Sequence, residues 1–411
     1  MKVLMMTDAF SPCPYSASQR LSSFAEVLSS KGFEIAVITA SRCRKAKSLF
    51  SSDEIFSVYD IRCPRFLLSV SSVIVNPFLF LLYLVAGIVV VSKNDVDVIL
   101  SSVPNGEVCV AGFFLSKMFG IPFILDMRDK YPPPPVEFPF LNVHVPSKMN
   151  DFLTRFFEVI YKNSAKIICV DMDIKRHLVK CGVSVEKTLI ITNGADVSQY
   201  KPSSSKRRQR IRVKYELSLD KFIFVYAGAL APYYPVGEAV KGLRKISCKV
   251  RNNIQLLIIS HTNYASYGKL AKKLGLKESV KLTGPLPITD TSEIISACDA
   301  GIVTYPGEDY WKSMYGGKIF SYMSCGIPIL ASGPFGSVID NLIKKHNTGF
   351  FVGKPSENSF AEGFLLFLNH RNEAKVMGEN ARKTVENFYD RRKLGLKLVS
   401  VIERVCRGYN R

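Results

Sequence analysis

The sequence of 411 residues has one tryptophan, Trp311, and only 35 acidic residues against 55 lysines and arginines. It contains no CxxC pair and no His or Cys spacing typical of zinc ligands, which excludes zinc-finger classes and predicts no metal site. Its ten cysteines are scattered, as expected for free thiols in a reducing cytoplasm. No homeodomain or RNA-recognition signature occurs, so we expect no nucleic-acid partner.

The scarcity of acidic residues leaves a formal charge of +20 at pH 7. Such an excess predicts attraction to an anionic partner, with lipid headgroups and phosphorylated substrates ahead of nucleic acid. A soluble protein that is merely basic remains the alternative. The first ten residues are too short and too polar for a signal peptide and predict a strand.

One long segment, Phe66–Val91, carries no charge, but Asn76 and Pro77 interrupt it. Its unbroken apolar part, Phe78–Val91, is shorter than the roughly 20 residues that span a bilayer. A core helix, a helix that dips into the membrane surface and a true membrane span therefore compete. The basic residues before the segment suit a helix near anionic headgroups.

Short Val- and Ile-rich runs alternate with amphipathic segments of helical length throughout the chain. This alternation predicts parallel sheets covered by helices on both faces. The predicted strands are Lys2–Thr7, Glu34–Thr39, Val96–Ser101, Phe123–Asp126, Lys166–Val170, Thr188–Thr192, Phe222–Ala227, Gln255–Ser260, Ser279–Thr283, Ala300–Thr304, Pro328–Ala331 and Gly349–Val352.

The alternation restarts after a polar, basic stretch at Lys201–Lys214, for which we predict a linker or surface loop, with a role in phosphate or lipid binding as the alternative. The resulting domains are 1–200, with an apolar membrane-associating helix near 66–91, and 215–385. Residues 386–411 are expected to form a helix that packs back towards the N-terminal domain. Ligands of such sheets bind beyond the carboxyl ends of the strands, so functional residues are sought there.

Four stretches after predicted strands resemble the retaining glycosyltransferases of family 4, of the type that builds bacterial surface polysaccharides. Ile190–Asp196 (IITNGAD) is similar to the family's exit from its first domain, and Gly317–Ile329 (GKIFSYMSCGIPI) to its donor-site helix. Leu125–Asp129 (LDMRD) and the region from Ser11 to Val37 resemble two elements of its first domain. The resemblance covers nearly the whole chain.

This resemblance implies the GT-B fold, an α/β architecture of two doubly wound Rossmann-like domains facing across a cleft, with a helical C-terminal tail. It implies a retaining hexosyltransferase without a cofactor. The enzyme would move a sugar from a nucleotide-sugar donor, which we expect to be UDP-linked, to a lipid-linked or polysaccharide acceptor. We expect it in the cytoplasm, peripheral on the inner face of the cell membrane.

The predicted donor site centres on Lys318, which opens a helix after Gly317. A cation beside exposed helix N–H groups suits a leaving diphosphate. A surface lysine in a first helical turn is the alternative. The resemblance adds further donor-binding residues, namely Gly228, Ala229, Ser321, Tyr322, Pro285 and Leu286.

The sequence departs from the family pattern at this site. Ala229 and, approximately, Tyr234 occupy positions where the family often has an arginine and a lysine. Ser313 and Ser321 occupy the positions of two glutamates, of which the second contacts the nucleotide ribose in the family. The donor site is therefore expected to be remodelled or weakened.

In the first domain, Asp126, Arg128 and Asp129 follow a predicted strand and are the catalytic candidates. An aspartate there can accept a proton from an acceptor hydroxyl, and an arginine can bind phosphate or orient the aspartate. An ion pair at a strand end is the alternative. The acceptor-binding candidates lie at the start of the first helix and after the third predicted strand, at Ser16, Ser18, Arg20 and Asn105.

Two rival functions remain open at this stage. A UDP-sugar 2-epimerase on the same fold needs acidic and basic carboxyl groups in the second domain, where only Glu308 and Asp309 qualify. A catalytically inactive scaffold or partner subunit is compatible with the substitutions at the donor site.

Overall fold

The computed structural model describes residues 1–11, 16–40, 50–53, 56–61, 76–132, 147–231, 233–262 and 264–409. The chain divides into two compact units. The first comprises Met1–Thr192 and Arg391–Arg411, and the second comprises Asn193–Asp390. The basic loop before the apolar segment and the first part of that segment lie outside the described residues.

The first unit is built on a sheet of eight strands in the order β3-β4-β2-β1-β5-β6-β7-β8. Only β3 is antiparallel to its neighbour, and the other seven strands are parallel. The strands are β1 (Lys2–Thr7), β2 (Glu34–Thr39), β3 (Phe50–Asp53), β4 (Phe56–Asp60), β5 (Val98–Val103), β6 (Phe123–Met127), β7 (Lys166–Cys169) and β8 (Thr188–Ile190).

Helices cover both faces of this sheet, as its buried strands require. One core lies against α1 (Ser16–Ser30) and the other against α2 (Pro77–Lys93), α3 (Gly106–Phe119), α4 (Ser147–Asn163) and α5 (Met172–Lys180). The C-terminal helix of the chain packs with α1 on the first face, where Gly395 lies against the side chain of Val27.

The second unit has six parallel strands in the order β11-β10-β9-β12-β13-β14. These strands are β9 (Phe222–Ala227), β10 (Ile254–Ile259), β11 (Val280–Thr283), β12 (Ala300–Thr304), β13 (Ile329–Ser332) and β14 (Gly349–Phe351). Its order reverses between β9 and β12, the kind of switch point beside which doubly wound sheets bind ligands.

Two cores flank this second sheet, one on each face. The remaining helices are α6 (Ser205–Lys214), α7 (Val236–Lys245), α8 (Cys248–Arg251), α9 (Tyr264–Lys273), α10 (Ile288–Ser296), α11 (Gly317–Ser324), α12 (Val338–His346), α13 (Glu357–Asn369), α14 (Arg371–Phe388) and α15 (Arg391–Tyr409). The predicted pair of doubly wound parallel-sheet domains with a helical tail is confirmed.

The prediction of a loop at Lys201–Lys214 is wrong for most of its length, because Ser205–Lys214 forms α6. Ser204 caps the helix by accepting a hydrogen bond from the Arg207 backbone N–H, and the lysines, arginines and glutamine that follow are good helix formers. Ile211 and the stem of Arg212 bury one side of the helix against the unit. Composition alone did not reveal this buried side.

Helix α2 begins at Pro77 after the cap residue Asn76 and lies with one side in the core. Its buried residues include Leu79, Tyr83 and Gly87, whereas the opposite side is exposed and apolar. No helix in the described ranges has both the length and the apolar composition needed to cross a membrane.

Candidate functional site

Lys318 is the second residue of α11, and its ammonium group points to the carboxyl end of β9. Its Nζ donates a hydrogen bond of 2.8 Å to the Tyr226 hydroxyl. It also lies 4.0 Å from the centre of the Tyr226 ring and 4.8 Å from that of the Tyr234 ring. Two aromatic rings thus contact the ammonium group. Such cation–π contacts offset only part of the cost of burying its charge.

The surroundings of this ammonium group disfavour its positive charge. Burial lowers the pKa of Lys318 to about 7, and no described acidic side chain acts on it. The N-terminus of α11 adds the positive end of a helix dipole. A bound anion would relieve both effects, so the site has the electrostatics of a receptor for phosphate groups.

Gly228 follows β9 and, having no side chain, leaves this side of the Lys318 ammonium group uncovered. Its φ of +147° is a conformation that side chains rarely adopt, and a Cβ there would lie 3.3 Å from both Cε and Nζ of Lys318. The next carbonyl, of Ala229, accepts a hydrogen bond of 2.7 Å from the Tyr226 hydroxyl. Glycine therefore keeps the lysine accessible and allows a ligand to approach the backbone closely.

The other predicted donor residues occupy different environments. Gly317 is the first residue of α11, after Gly316, whose φ is +55°. Ser321 is buried one turn further along. Tyr322 is fully buried, and its hydroxyl accepts a hydrogen bond of 2.7 Å from the Ala227 N–H, so it positions the end of β9.

Pro285 and Leu286 lie after β11, in the loop that leads to α10. Pro285 is exposed and Leu286 is half-buried. Their backbone is thus at the carboxyl edge of the sheet, as the sequence predicts, although β11 is the edge strand and Lys318 reaches the central strand β9.

An aromatic cluster lies beside Lys318 where the family often carries a basic residue. Tyr234 contacts Trp311 and Tyr305, and Trp311 stacks on Tyr233 with ring centres 5.5 Å apart. The Tyr305 hydroxyl lies directly against Gly316. These rings surround the N-terminus of α11 with apolar surface. They therefore account for the burial of the Lys318 ammonium group.

In the first unit, Asp126 and Arg20 form a buried ion pair. The guanidinium of Arg20 donates to both carboxylate oxygens of Asp126, at 2.8 and 3.3 Å, and to the carbonyls of Ile191 and Thr192. Asp126 has no exposed surface and accepts a third hydrogen bond from Ser102. Its contribution to a reaction would therefore pass through these neighbours rather than through contact with a substrate.

Arg128 links this pair to the end of β1. Its Nε donates to the Ser102 hydroxyl at 3.0 Å, and its guanidinium pairs with Asp8 at 3.2 Å. The neighbouring Asp129 carboxyl is partly buried. Burial raises its pKa, with the Arg128 charge opposing and the Asp8 charge adding to that shift. A carboxyl group whose pKa is raised towards neutrality accepts protons more effectively, which suits a general base.

The structure brings the three catalytic candidates and Arg20 together, whereas the remaining acceptor candidates lie around them. Ser16 is the first residue of α1. The Ser18 hydroxyl is buried, and within the described ranges it has no hydrogen-bond partner. Asn105 is buried before α3 and donates to Glu107 at 3.3 Å. Acceptor binding by these residues stays a prediction.

Sequence reasoning missed four residues that build these two clusters: Tyr226, Tyr305, Asp8 and Ser102. Asp8 and Ser102 stand at the carboxyl ends of β1 and β5, a position that marks them as candidates. No local signal distinguishes Tyr226 and Tyr305 from ordinary core aromatics. Nor does any group of His, Cys, Asp and Glu among the residues described have the arrangement of a metal site.

Comparison with protein families gives a match in the second unit. Residues 207–384 match the family model described as Glycosyl transferases group 1. A D-inositol 3-phosphate glycosyltransferase of Corynebacterium glutamicum is 21% identical over 209 residues, which are 49% of this chain and 48% of that protein. The match thus spans about half the length of that curated relative.

Solved structures resemble the chain over almost its full length. Sucrose-phosphate synthase from Thermosynechococcus elongatus has a TM-score of 0.77 at 14% identity, with 98% of each chain covered. Anabaena HepE in complex with UDP-glucose has a TM-score of 0.72 at 16% identity, covering 98% of this chain and 100% of that one. The chain therefore has the GT-B fold, and its second unit is similar to the group 1 glycosyltransferases over residues 207–384.

Proposed function

We propose that this protein transfers a sugar, with retention, from a UDP-linked donor to a lipid-linked or polysaccharide acceptor at the cytoplasmic membrane face. The observation that carries the proposal is the partly buried Lys318 ammonium, which faces Gly228 and contacts the Tyr226 hydroxyl and two aromatic rings, with no acidic partner among the described residues. A donor diphosphate supplies the missing negative charge. HepE, which has this fold, was solved with UDP-glucose bound.

In the proposed reaction, Lys318 binds the diphosphate and stabilises the negative charge that develops as it leaves. The N–H groups at the start of α11 add further donors. Asp129 is the candidate to bind the acceptor hydroxyl and take its proton, and the charges of the neighbouring Arg128–Asp8 pair act on its pKa in opposite directions. Retention is supported by the resemblance to family 4 and is tested by the anomeric configuration of the product in NMR spectra.

Nucleotide binding and its pH dependence test the donor site. Below about pH 7 Lys318 is already charged, whereas above this value binding of UDP must be accompanied by proton uptake. UDP should therefore bind about 30-fold more weakly near pH 8.5 than near pH 6.5, because affinity falls by up to tenfold per pH unit above the pKa of the free site. Calorimetric titration in buffers of different ionisation enthalpy measures both quantities.

The outcomes also separate the rival functions. Sugar transfer is supported when UDP binds and a UDP-sugar is consumed only in the presence of an acceptor. Conversion of the UDP-sugar alone, without an acceptor, would establish the epimerase. Absence of binding by every nucleotide tested would favour the inactive scaffold and contradict the proposed function.

An exposed apolar surface on the first unit supports the placement at a membrane. It comprises Phe78, Leu81, Val85 and Val89 of α2 with Phe114, Met118 and Phe119 of α3, and we call it the α2–α3 surface. The two helices pack closely because Gly87 admits the Leu115 side chain, and the Phe80 and Phe114 rings are 5.8 Å apart. Exposed Lys93 and Lys117 flank the patch. An apolar face with basic edges fits an anionic lipid surface.

Charges placed in the α2–α3 surface should weaken membrane binding. The double variant Leu81→Glu/Val85→Glu is expected to bind anionic vesicles roughly 30- to 150-fold more weakly, since it removes about 2–3 kcal/mol of apolar burial. Co-sedimentation measures the change. The matched control is Leu219→Glu/Val376→Glu, because these side chains are 53% and 52% exposed against 54% and 52% for Leu81 and Val85. Equal binding by both variants would contradict the membrane role of this surface.

A further inference from the structure

Helix α6 presents four basic side chains on one exposed face. Lys206, Arg207, Arg210 and Lys214 line a depression of about 350 Å³ together with Ser204, Ile211 and one acidic residue, Glu293. The depression therefore carries an excess of three positive charges. It belongs to the second unit and uses none of the residues assigned above to donor binding.

The other two arginines of α6 have a structural role. Arg208 and Arg212 both pair with Asp299, at 2.5 and 2.7 Å, and Arg212 also donates to the carbonyls of Ala297, Ser218, Leu219 and Lys221. These contacts attach the inner side of the helix to the unit. Of the outer basic residues, Lys206 and Arg210 have no described contact that holds the helix in place.

The arrangement of the outer residues is unfavourable in the absence of a ligand. Lys206, Arg210 and Lys214 follow one another at i,i+4 spacing, where like charges destabilise a helix. The first turn of α6 contains basic and no acidic residues, opposite to what the helix dipole favours. An anion bound in the depression would reverse both effects.

Glu293 neutralises only one end of the depression. Its carboxylate accepts hydrogen bonds from Lys214 at 2.7 Å and from the Tyr215 hydroxyl at 3.1 Å, and it lies 4.0 Å from Arg207. Lys206 and Arg210 have no acidic partner among the residues that the structure describes. These two exposed cations, one turn apart, define the part of the depression that remains open to an anion.

We propose that this face of α6 is a binding site for clustered phosphate groups, separate from the donor site. Two guanidinium groups and two ammonium groups on one face match several phosphate oxygens, and arginine binds phosphate through paired hydrogen bonds. Lipid headgroups and a soluble polyphosphate share this chemistry. The inference stands whether or not the proposed sugar transfer is correct.

The double variant Lys206→Gln/Arg210→Gln tests the site in the full-length protein. It should bind vesicles of phosphatidylcholine and phosphatidylglycerol about 30-fold more weakly, from about 1 kcal/mol per cation near an anionic surface. Its affinity for tripolyphosphate, measured by calorimetry, should fall at least about tenfold, as expected for the loss of two charge-assisted contacts. A loss for vesicles alone identifies lipid as the source of phosphate, and a loss for tripolyphosphate alone identifies a soluble ligand.

The matched control is Lys272→Gln/Lys273→Gln, which removes two exposed lysines from α9 and causes the same change in net charge. The site is confirmed if only the α6 variant loses affinity. If both double variants lose affinity equally, binding follows overall charge. If neither loses affinity for either probe, Lys206 and Arg210 do not contribute to binding. Either result overturns the proposal. Thermal unfolding that matches the wild type verifies that each variant is folded.

Discussion

Replacement of Lys318 by methionine is expected to weaken UDP binding by about 30-fold or more, since removing one partner of a partly buried charge pair costs about 2 kcal/mol or more. Methionine keeps much of the apolar stem that packs on Tyr226 and Tyr234, so the surrounding rings should stay in place. Calorimetric titration with UDP measures the loss, and the pH dependence of binding above neutrality should disappear with it.

The same variant has a second expected effect that distinguishes a ligand-binding lysine from a structural one. Removal of a partly buried charge without an acidic neighbour should leave the ligand-free protein as stable as the wild type or more stable. Thermal unfolding without UDP measures this. The control is Lys312→Met, because Lys312 is half-exposed and its described ion pair is with the exposed Asp309. Wild-type UDP affinity in Lys318→Met would refute the role assigned to this residue.

Replacement of Arg20 by methionine is expected to destabilise the first unit by about 3–5 kcal/mol, because it leaves the Asp126 carboxylate buried without a counter-charge. The carbonyls of Ile191 and Thr192 lose their donor as well. For a unit of this size, the cost corresponds to a fall of roughly 6–20 °C in its melting temperature. Differential scanning calorimetry measures the change.

A second variant separates the buried charge from the other losses. In Arg20→Met/Asp126→Asn the charge is absent, so more than half of the lost stability should return. Arg244→Met, on the exposed side of α7, is the control for loss of an arginine and should change stability by less than about 0.5 kcal/mol. A melting temperature of Arg20→Met within about a degree of the wild type would show that the pair contributes little to the fold.

The strands β1, β2, β9 and β12 have the bounds that the sequence predicts, because each apolar run has a charged residue at its start and a threonine or glycine at its end. The hairpin of β3 and β4 escaped prediction, since its residues alternate weakly and it lies at the sheet edge. Helix α6 escaped because its polar composition conceals one buried isoleucine and one buried arginine stem. In both elements, tertiary contacts that local patterns do not show contribute to the structure.

The candidate sites show the same division. Lys318 and Gly228 are recognisable from their places after a strand and at a helix start, and the structure puts them in contact. The aromatic side chains that enclose the ammonium group come from β9, from the loop after it and from the region after β12. Only folding brings these segments together. The pairing of Asp126 with Arg20, 106 positions apart, was equally inaccessible to local patterns.

Tyr83 connects the outer apolar face of the first unit with the ends of its central strands. Its hydroxyl, on the buried side of α2, donates to the Thr7 carbonyl at 2.8 Å and accepts from the Ala40 N–H at 2.9 Å. Thr7 directly precedes Asp8, the ion-pair partner of Arg128. Through Tyr83, a displacement of α2 would therefore be transmitted to the backbone beside the catalytic candidates.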